Sequence, residues 1–218
     1  MQINRIKNFF KKYRRSLRLI LSFLFAVYNG VIGLIGNSLW HMSIFVYIVL
    51  LLFVKAIVYW AVNKEEKQNL DINSGLSKRV FAITSILMFL ISMALVAPIV
   101  IMVLNRRVVI FSLVVSIGIA AFTTYKVTLS AIFFAKNNKS QNILIKEITT
   151  ISLIESIVSI LTLQNTLIAV NGGDGNGGLF VLVAISSAVG LFAILFLIVH
   201  MIKSMAKITK ATKTKQKC

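Results

Sequence analysis

Apolar residues along the chain collect into six long runs, at 17–37, 39–62, 80–104, 108–135, 143–170 and 179–202. Each is long enough to carry an α-helix across about 30 Å of hydrocarbon at about 1.5 Å per residue. Polar or turn-forming residues mark every break: Asn37-Ser38, then 63–79, then Asn105-Arg106-Arg107, then 136–142, then 171–178, which reads N-G-G-D-G-N-G-G. The pattern predicts an all-α, polytopic transmembrane helical bundle of about six spans. The breaks at Asn37 and Asn105 are so short that either a full hairpin or a re-entrant bend fits them, which sets the range at four to six spans.

Composition agrees with a membrane-embedded chain. Of 218 residues 58% are apolar and 14% charged, against roughly 25% charged in a soluble domain. Six spans use nearly the whole length, so one domain is expected. The formal charge of +18 lies between and outside the apolar runs and not on a folded face, which points to anionic lipid headgroups and away from nucleic acid. Seven Lys and Arg lie in the N-terminal stretch through Arg18 and four in 63–79; three more are Lys136, Lys139 and Lys146, and six follow position 202. Only Arg106 and Arg107 fall on the other side, so the split is twenty to two, with Lys55 and Lys126 inside runs. Positive residues stay cytoplasmic, which predicts both termini inside, in a bacterial cytoplasmic (inner) membrane.

Three segments follow. Residues 1–16 place Ile3, Ile6, Phe10 and Tyr13 at helical spacing with Lys11, Lys12, Arg14 and Arg15 between them. This is a basic amphipathic helix expected to lie flat on the inner leaflet, each cation there worth about 1 kcal/mol against an anionic surface. A partner-binding arm is the competing reading. Residues 17–202 form the bundle, and 203–218 a basic cytoplasmic tail. The first run has no A-x-A cleavage pattern and is read as a retained signal anchor. The single cysteine, Cys218, leaves no disulfide framework or zinc site.

Charges inside spans are the strongest pointers to chemistry, because each costs at least about 2.5–3.5 kcal/mol at the bilayer centre. Lys126 lies ten residues before Lys136, and Glu155 nine after Lys146, so each sits roughly 14 Å from the same side. The two are expected to pair, with Lys55 at similar depth either competing for the carboxylate or snorkelling to the interface. Thr149, Ser152, Glu155, Ser159, Thr162 and Thr166 share one helical face in the fifth run, as do Ser112, Ser116, Thr123, Lys126 and Ser130 in the fourth. Those hydroxyls are read either as interhelical hydrogen bonds or as the lining of a polar path. Glu147 is read as a helix N-terminal charge.

In the first run, Ala26, Gly30, Gly33 and Gly36 permit close helix approach. The sharper alternative is a locally unwound helix with Asn29 as a ligand. Pro98 is expected to kink the third span. His41 and His200 lie near opposite ends of their spans and cannot share a metal, the 171–178 loop lacks the acidic residues of a calcium loop, and no hydrolase, metalloprotease or nucleotide-binding motif occurs. No enzyme activity, metal or cofactor is expected.

The stretch Ala26-Val27-Tyr28-Asn29-Gly30-Val31-Ile32-Gly33, with Ser38-Leu39-Trp40 and Tyr47 after it, resembles the opening of a group of uncharacterised small polytopic membrane proteins of Gram-positive bacteria. The resemblance covers about 30 residues and implies a shared fold more than an activity. Six spans in so short a chain is also similar to the substrate-binding membrane subunits of vitamin importers, though none of their substrate motifs is present.

The leading expectation is a small transporter or transporter subunit, with Glu155, Lys126, Asn29, Ser159 and Thr123 at a ligand or ion pathway. The alternative is a non-transporting immunity, assembly or regulatory protein whose polar faces serve packing. Either leaves room for a membrane-protein partner or a homo-oligomer.

Overall fold

A computed structural model of the chain describes residues 2–68, 74–97, 100, 113–137, 140, 142–171 and 177–215. Six long helices account for nearly all of them, and no strand occurs among them: α1 Gln2–Ile35, α2 Leu39–Gln68, α3 Gly75–Ala94, α4 Leu113–Asn137, α5 Ile143–Asn171 and α6 Gly177–Lys215. Four stretches are long and apolar enough to cross a membrane: Leu39–Gln68, Gly75–Ala94, Ser116–Asn137 and Ile185–Lys203. The apolar part of α1, Leu19–Ile35, is shorter. The expected kink at Pro98, the break at Asn105 with Arg106 and Arg107, and the loop positions 172–176 lie outside the described residues.

The bundle is apolar outside, and its interior combines a large apolar core with many buried Ser, Thr and charged side chains. On α3, Ser77, Thr84, Ser85 and Ser92 are buried at helical spacing, while Ile83, Ile86 and Leu90 point outward, each about 60% exposed. On α6, Val181, Ile185, Val189, Phe192 and Phe196 form a continuous outward stripe. Apolar faces of this extent are unusual on soluble monomers and suit contact with lipid. The most enclosed element is α5, which packs against α2, α3, α4 and α6. Between residues 143 and 166 only Ile160 is exposed. It is not among the four apolar stretches: surrounded by other helices, it tolerates Ser, Thr, Asn, Gln and two carboxylates.

The break at Asn37 is a full hairpin. Asn37 takes φ 45°, the left-handed conformation that Asn tolerates after Gly. The Ser38 N–H donates to the Gly33 carbonyl at 3.1 Å, which closes α1 in a Schellman turn. Ser38 then caps α2, its hydroxyl 3.4 Å from the His41 N–H and 2.9 Å from His41 Nδ1. Beyond the turn the two helices run antiparallel, with Gly33 against Met42, Gly30 against Phe45 and Ser22 against Lys55. A Cβ at Gly33 would sit 2.8 Å from the Met42 backbone nitrogen. These glycines therefore serve close packing, and α1 is not unwound at Asn29 as the sharper reading required.

The helices run on across both expected segment boundaries. α1 passes through residue 16 without a break, because nothing between Tyr13 and Leu17 disfavours a helix. α6 likewise continues past residue 203 to Lys215, and its 39 residues span about 58 Å. α3 ends at Ala94, ten residues before the apolar run does. The next backbone nitrogen that would bond the Ala94 carbonyl belongs to Pro98, which has no hydrogen to give.

At the other end of α2, the Glu65 carboxylate is buried and accepts from Ser74 Oγ at 2.7 Å and from Ser77 Oγ. Ser74 is the N-cap of α3, so a negative charge sits at that helix's positive end and holds the second hairpin. Leu161 against Gly190, and Lys146 and Thr150 beside His200 and Met201, make α5 and α6 antiparallel. The start of α1, the ends of α2 and α4 with the starts of α3 and α5, and the end of α6 accordingly gather at one end of the bundle, and most of the Lys and Arg lie in or next to these helix ends.

Candidate functional site: a buried charge cluster

Four helices each contribute one polar side chain to a point inside the bundle: α1 gives Ser22, α2 Lys55, α4 Lys126 and α5 Glu155. Lys55 Nζ donates to Glu155 Oε1 at 2.7 Å and to Ser22 Oγ at 3.2 Å. Ser22 Oγ donates to Glu155 Oε2 at 2.6 Å. Ser22 thus accepts from the lysine and donates to the carboxylate, closing a triangle in which each of the three groups bonds the other two. Glu155 and Lys55 are each 1% exposed, so water does not reach the pair.

Lys126 occupies a different position. Its Nζ lies 3.7 Å from Glu155 Oε2, an electrostatic contact too long for a hydrogen bond. The ammonium sits 4.2 Å from the centroid of the Phe25 ring, where the π face attracts a cation. Phe25 stacks on Phe122 of α4 at 5.6 Å between centroids. Among the described residues the ammonium has no hydrogen-bond acceptor, and the Thr123 hydroxyl one turn earlier, also buried, has no partner either.

The depth count therefore brings Lys126 and Glu155 together as an ion pair, and Lys55 reaches the same carboxylate at the shorter distance. Lys55 does not snorkel. With Ser22 opposite on the α1–α2 hairpin and Glu155 on α5, its ammonium gains two oxygen partners inside the bundle and leaves the interface. Ser22 carries no pattern in the sequence beyond its spacing from Ala26 and Asn29. It becomes identifiable only once Asn37 is known to be a hairpin, since that turn sets Ser22 opposite Lys55.

Asn29 is fully buried, but its amide donates to the Phe25 carbonyl four residues back at 2.8 Å, within its own helix and not into the cluster. Ser159 donates to the Glu155 backbone carbonyl at 2.8 Å. Along α5, Thr149, Thr150, Ser152, Ser156, Thr162 and Thr166 do the same to carbonyls four residues back, at 2.7–3.1 Å. Hydroxyls satisfied in this way need no partner on another helix. The hydrogens of this face are turned into its own helix, while each hydroxyl oxygen keeps lone pairs that can still accept.

Sequence reasoning also missed the burial of the Glu147 carboxylate. Glu147 is in the second turn of α5, fully buried, and bonded to Thr84 of α3, not a surface charge at the helix start. No group of three or more His, Cys, Asp or Glu that could hold a metal occurs among the described residues. A small recess between α4, α5 and α6, lined by Asn137, Lys146, Thr150 and His200 among others, lies at the basic end.

The cluster holds two ammonium groups and one carboxylate. Desolvating each ion costs several kcal/mol, and the single carboxylate neutralises only one cation. Such an arrangement can hold helices together, exchange one lysine for the other as the partner of Glu155, or accept an anion at Lys126. No protein-family model, no curated protein and no solved structure matches this chain.

Proposed function

We propose that the chain is a small membrane transporter or transporter subunit for a cargo with an anionic group, which binds at Lys126 beside Thr123. The observation that carries this reading is the surplus cation: Lys126 is buried and has no hydrogen-bond acceptor, while Glu155 is already engaged by Lys55 and Ser22. A cluster that served packing alone would be as well met by apolar residues of similar volume. Ser159 and Asn29 act as support, through their backbone bonds next to Glu155 and Phe25.

The test uses the detergent-purified chain and its Lys126→Met variant, with chloride, phosphate, acetate and succinate as probes. Ligand binding raises the unfolding temperature, by about 2.7 kcal/mol of stability at a hundredfold excess over Kd. At least one anion is expected to stabilise the native chain and to lose that effect in the variant. An equal response of the two proteins to all four anions transfers the cluster to a second reading, a non-transporting assembly, immunity or regulatory protein. That reading is favoured by the α5 hydroxyls, which bond only their own backbone.

The proposal places six spans in a bacterial cytoplasmic membrane with both termini inside. It is supported by the twenty-to-two charge split and by the gathering of the basic helix ends on one side. Lys11, Lys12, Arg14 and Arg15 on the first turns of α1 then meet anionic headgroups. Cys218, the only cysteine, reports the orientation without mutation. A membrane-impermeant thiol reagent is expected to label it in inside-out vesicles and to leave it unlabelled in sealed right-side-out ones, and the reverse result places the C-terminus outside.

A further inference from the structure

Eight residues along α5 from Glu155, the Glu147–Thr84 pair is a second buried polar contact that the charge cluster does not use. Both residues are fully buried. The Thr84 hydroxyl lies 2.7 Å from the Val80 carbonyl and 3.3 Å from the Phe81 carbonyl, and it also contacts Glu147 Oε1. A hydroxyl has one hydrogen and a carbonyl has none. If that hydrogen lies on the Val80 carbonyl, as the α5 hydroxyls place theirs four residues back, the hydrogen between Thr84 and Glu147 comes from the carboxyl group.

The surroundings of Glu147 agree. Its Oε2 has no hydrogen-bond partner. Among the described residues the intramembrane lysines Lys55 and Lys126 both face Glu155, and no charged group lies close enough to act on Glu147. Its neighbour Lys146 is directed to the recess between α4, α5 and α6. An ionised carboxylate with one hydrogen bond and no cation is among the costliest groups to bury.

We infer that Glu147 is a proton-binding site inside the bundle, a neutral carboxylic acid that donates to Thr84 Oγ1. The inference does not depend on the anion reading, which concerns Lys126 and Glu155. If the chain does transport, Glu147 is the group that would carry a coupling proton.

Dicyclohexylcarbodiimide, an apolar reagent, tests it. The acid proton goes to a carbodiimide nitrogen as the carboxyl oxygen bonds the central carbon, and the adduct rearranges to a stable N-acylurea with no atom lost. On the purified full chain at neutral pH, peptide mass analysis is expected to find the adduct on Glu147 and none on Glu155, whose carboxylate Lys55 holds ionised. Labelling of Glu155 and not Glu147 overturns the inference. Infrared difference spectra provide a readout independent of reagent access. Glu147→Gln, close in shape to the neutral acid, is expected to lose a carboxylic-acid carbonyl band, and Thr84→Val to shift that band without removing it. Loss of carboxylate bands in Glu147→Gln instead overturns the assignment.

Discussion

Glu155→Gln is expected to destabilise the folded bundle by about 3–5 kcal/mol, the usual penalty for removing one partner of a buried ion pair. The glutamine oxygen can still accept from Lys55 or from Ser22, but the charge that offsets the lysines is gone. Two ammonium groups, 1% and 5% exposed, would then share an apolar interior with no anion. The variant is expected to unfold at markedly lower denaturant or temperature in detergent, and a loss under about 1 kcal/mol would show that Glu155 does not hold the cluster. Replacing Lys55, Lys126 and Glu155 together by Met removes the desolvation cost along with the pairing, and most of the stability should return. Lys126→Met alone balances the site at one cation and one anion and should cost far less than Glu155→Gln. That asymmetry is what separates the two lysines: Lys55 hydrogen-bonds both Glu155 and Ser22, and Lys126 reaches Glu155 only through the 3.7 Å ionic contact.

Gly33→Val should have the next largest effect, about 1–3 kcal/mol from overpacking and more if the hairpin opens. The new Cβ would meet Met42 at its backbone nitrogen as well as at Cγ and Sδ, all at 2.8 Å. The side chain can turn away and the backbone cannot, so α1 and α2 must separate, which also draws Ser22 from Lys55. Gly118→Ala on α4 is the internal control. Nothing lies within 4 Å of its Cβ, and Ala in place of Gly within a helix gains up to about 1 kcal/mol. Equal stability of the two variants in a denaturant titration would show that the close contact at Gly33 does not exist in the folded protein.

Much of the helical framework was legible because hydropathy and turn residues are local signals. The runs at 39–62, 143–170 and 179–202 each fall within a single helix. Where the sequence misled, the missing information was long-range. The spacing of Lys55 from Lys64 gives its depth but not the direction of its stem, which is decided by Ser22 and Glu155, 33 and 100 residues away in sequence. The hydroxyls on α5 repeat at the spacing of a polar face, and periodicity cannot tell an outward-bonding hydroxyl from one that bonds the carbonyl four residues back. Glu147 has the position of an ordinary helix-start charge, and only the packing of α3 across it, with Thr84 at the right height, makes it an interior acid. The uninterrupted α1 and α6 show a further limit: a change from apolar to basic composition marks where the environment changes, not where the helix ends.

The order in which the four cluster residues leave the ribosome suits their chemistry. Ser22 and Lys55 arrive on the first hairpin and Lys126 later, while Glu155 comes last. A lysine waiting in a half-built bundle can extend its long stem to the headgroups and keep its ammonium hydrated. A glutamate has no such reach and would sit in hydrocarbon unneutralised. Because the carboxylate enters only after both lysines are in place, no intermediate of synthesis has to hold a bare anion, and insertion of α5 becomes the step that draws the lysines inward and closes the fold.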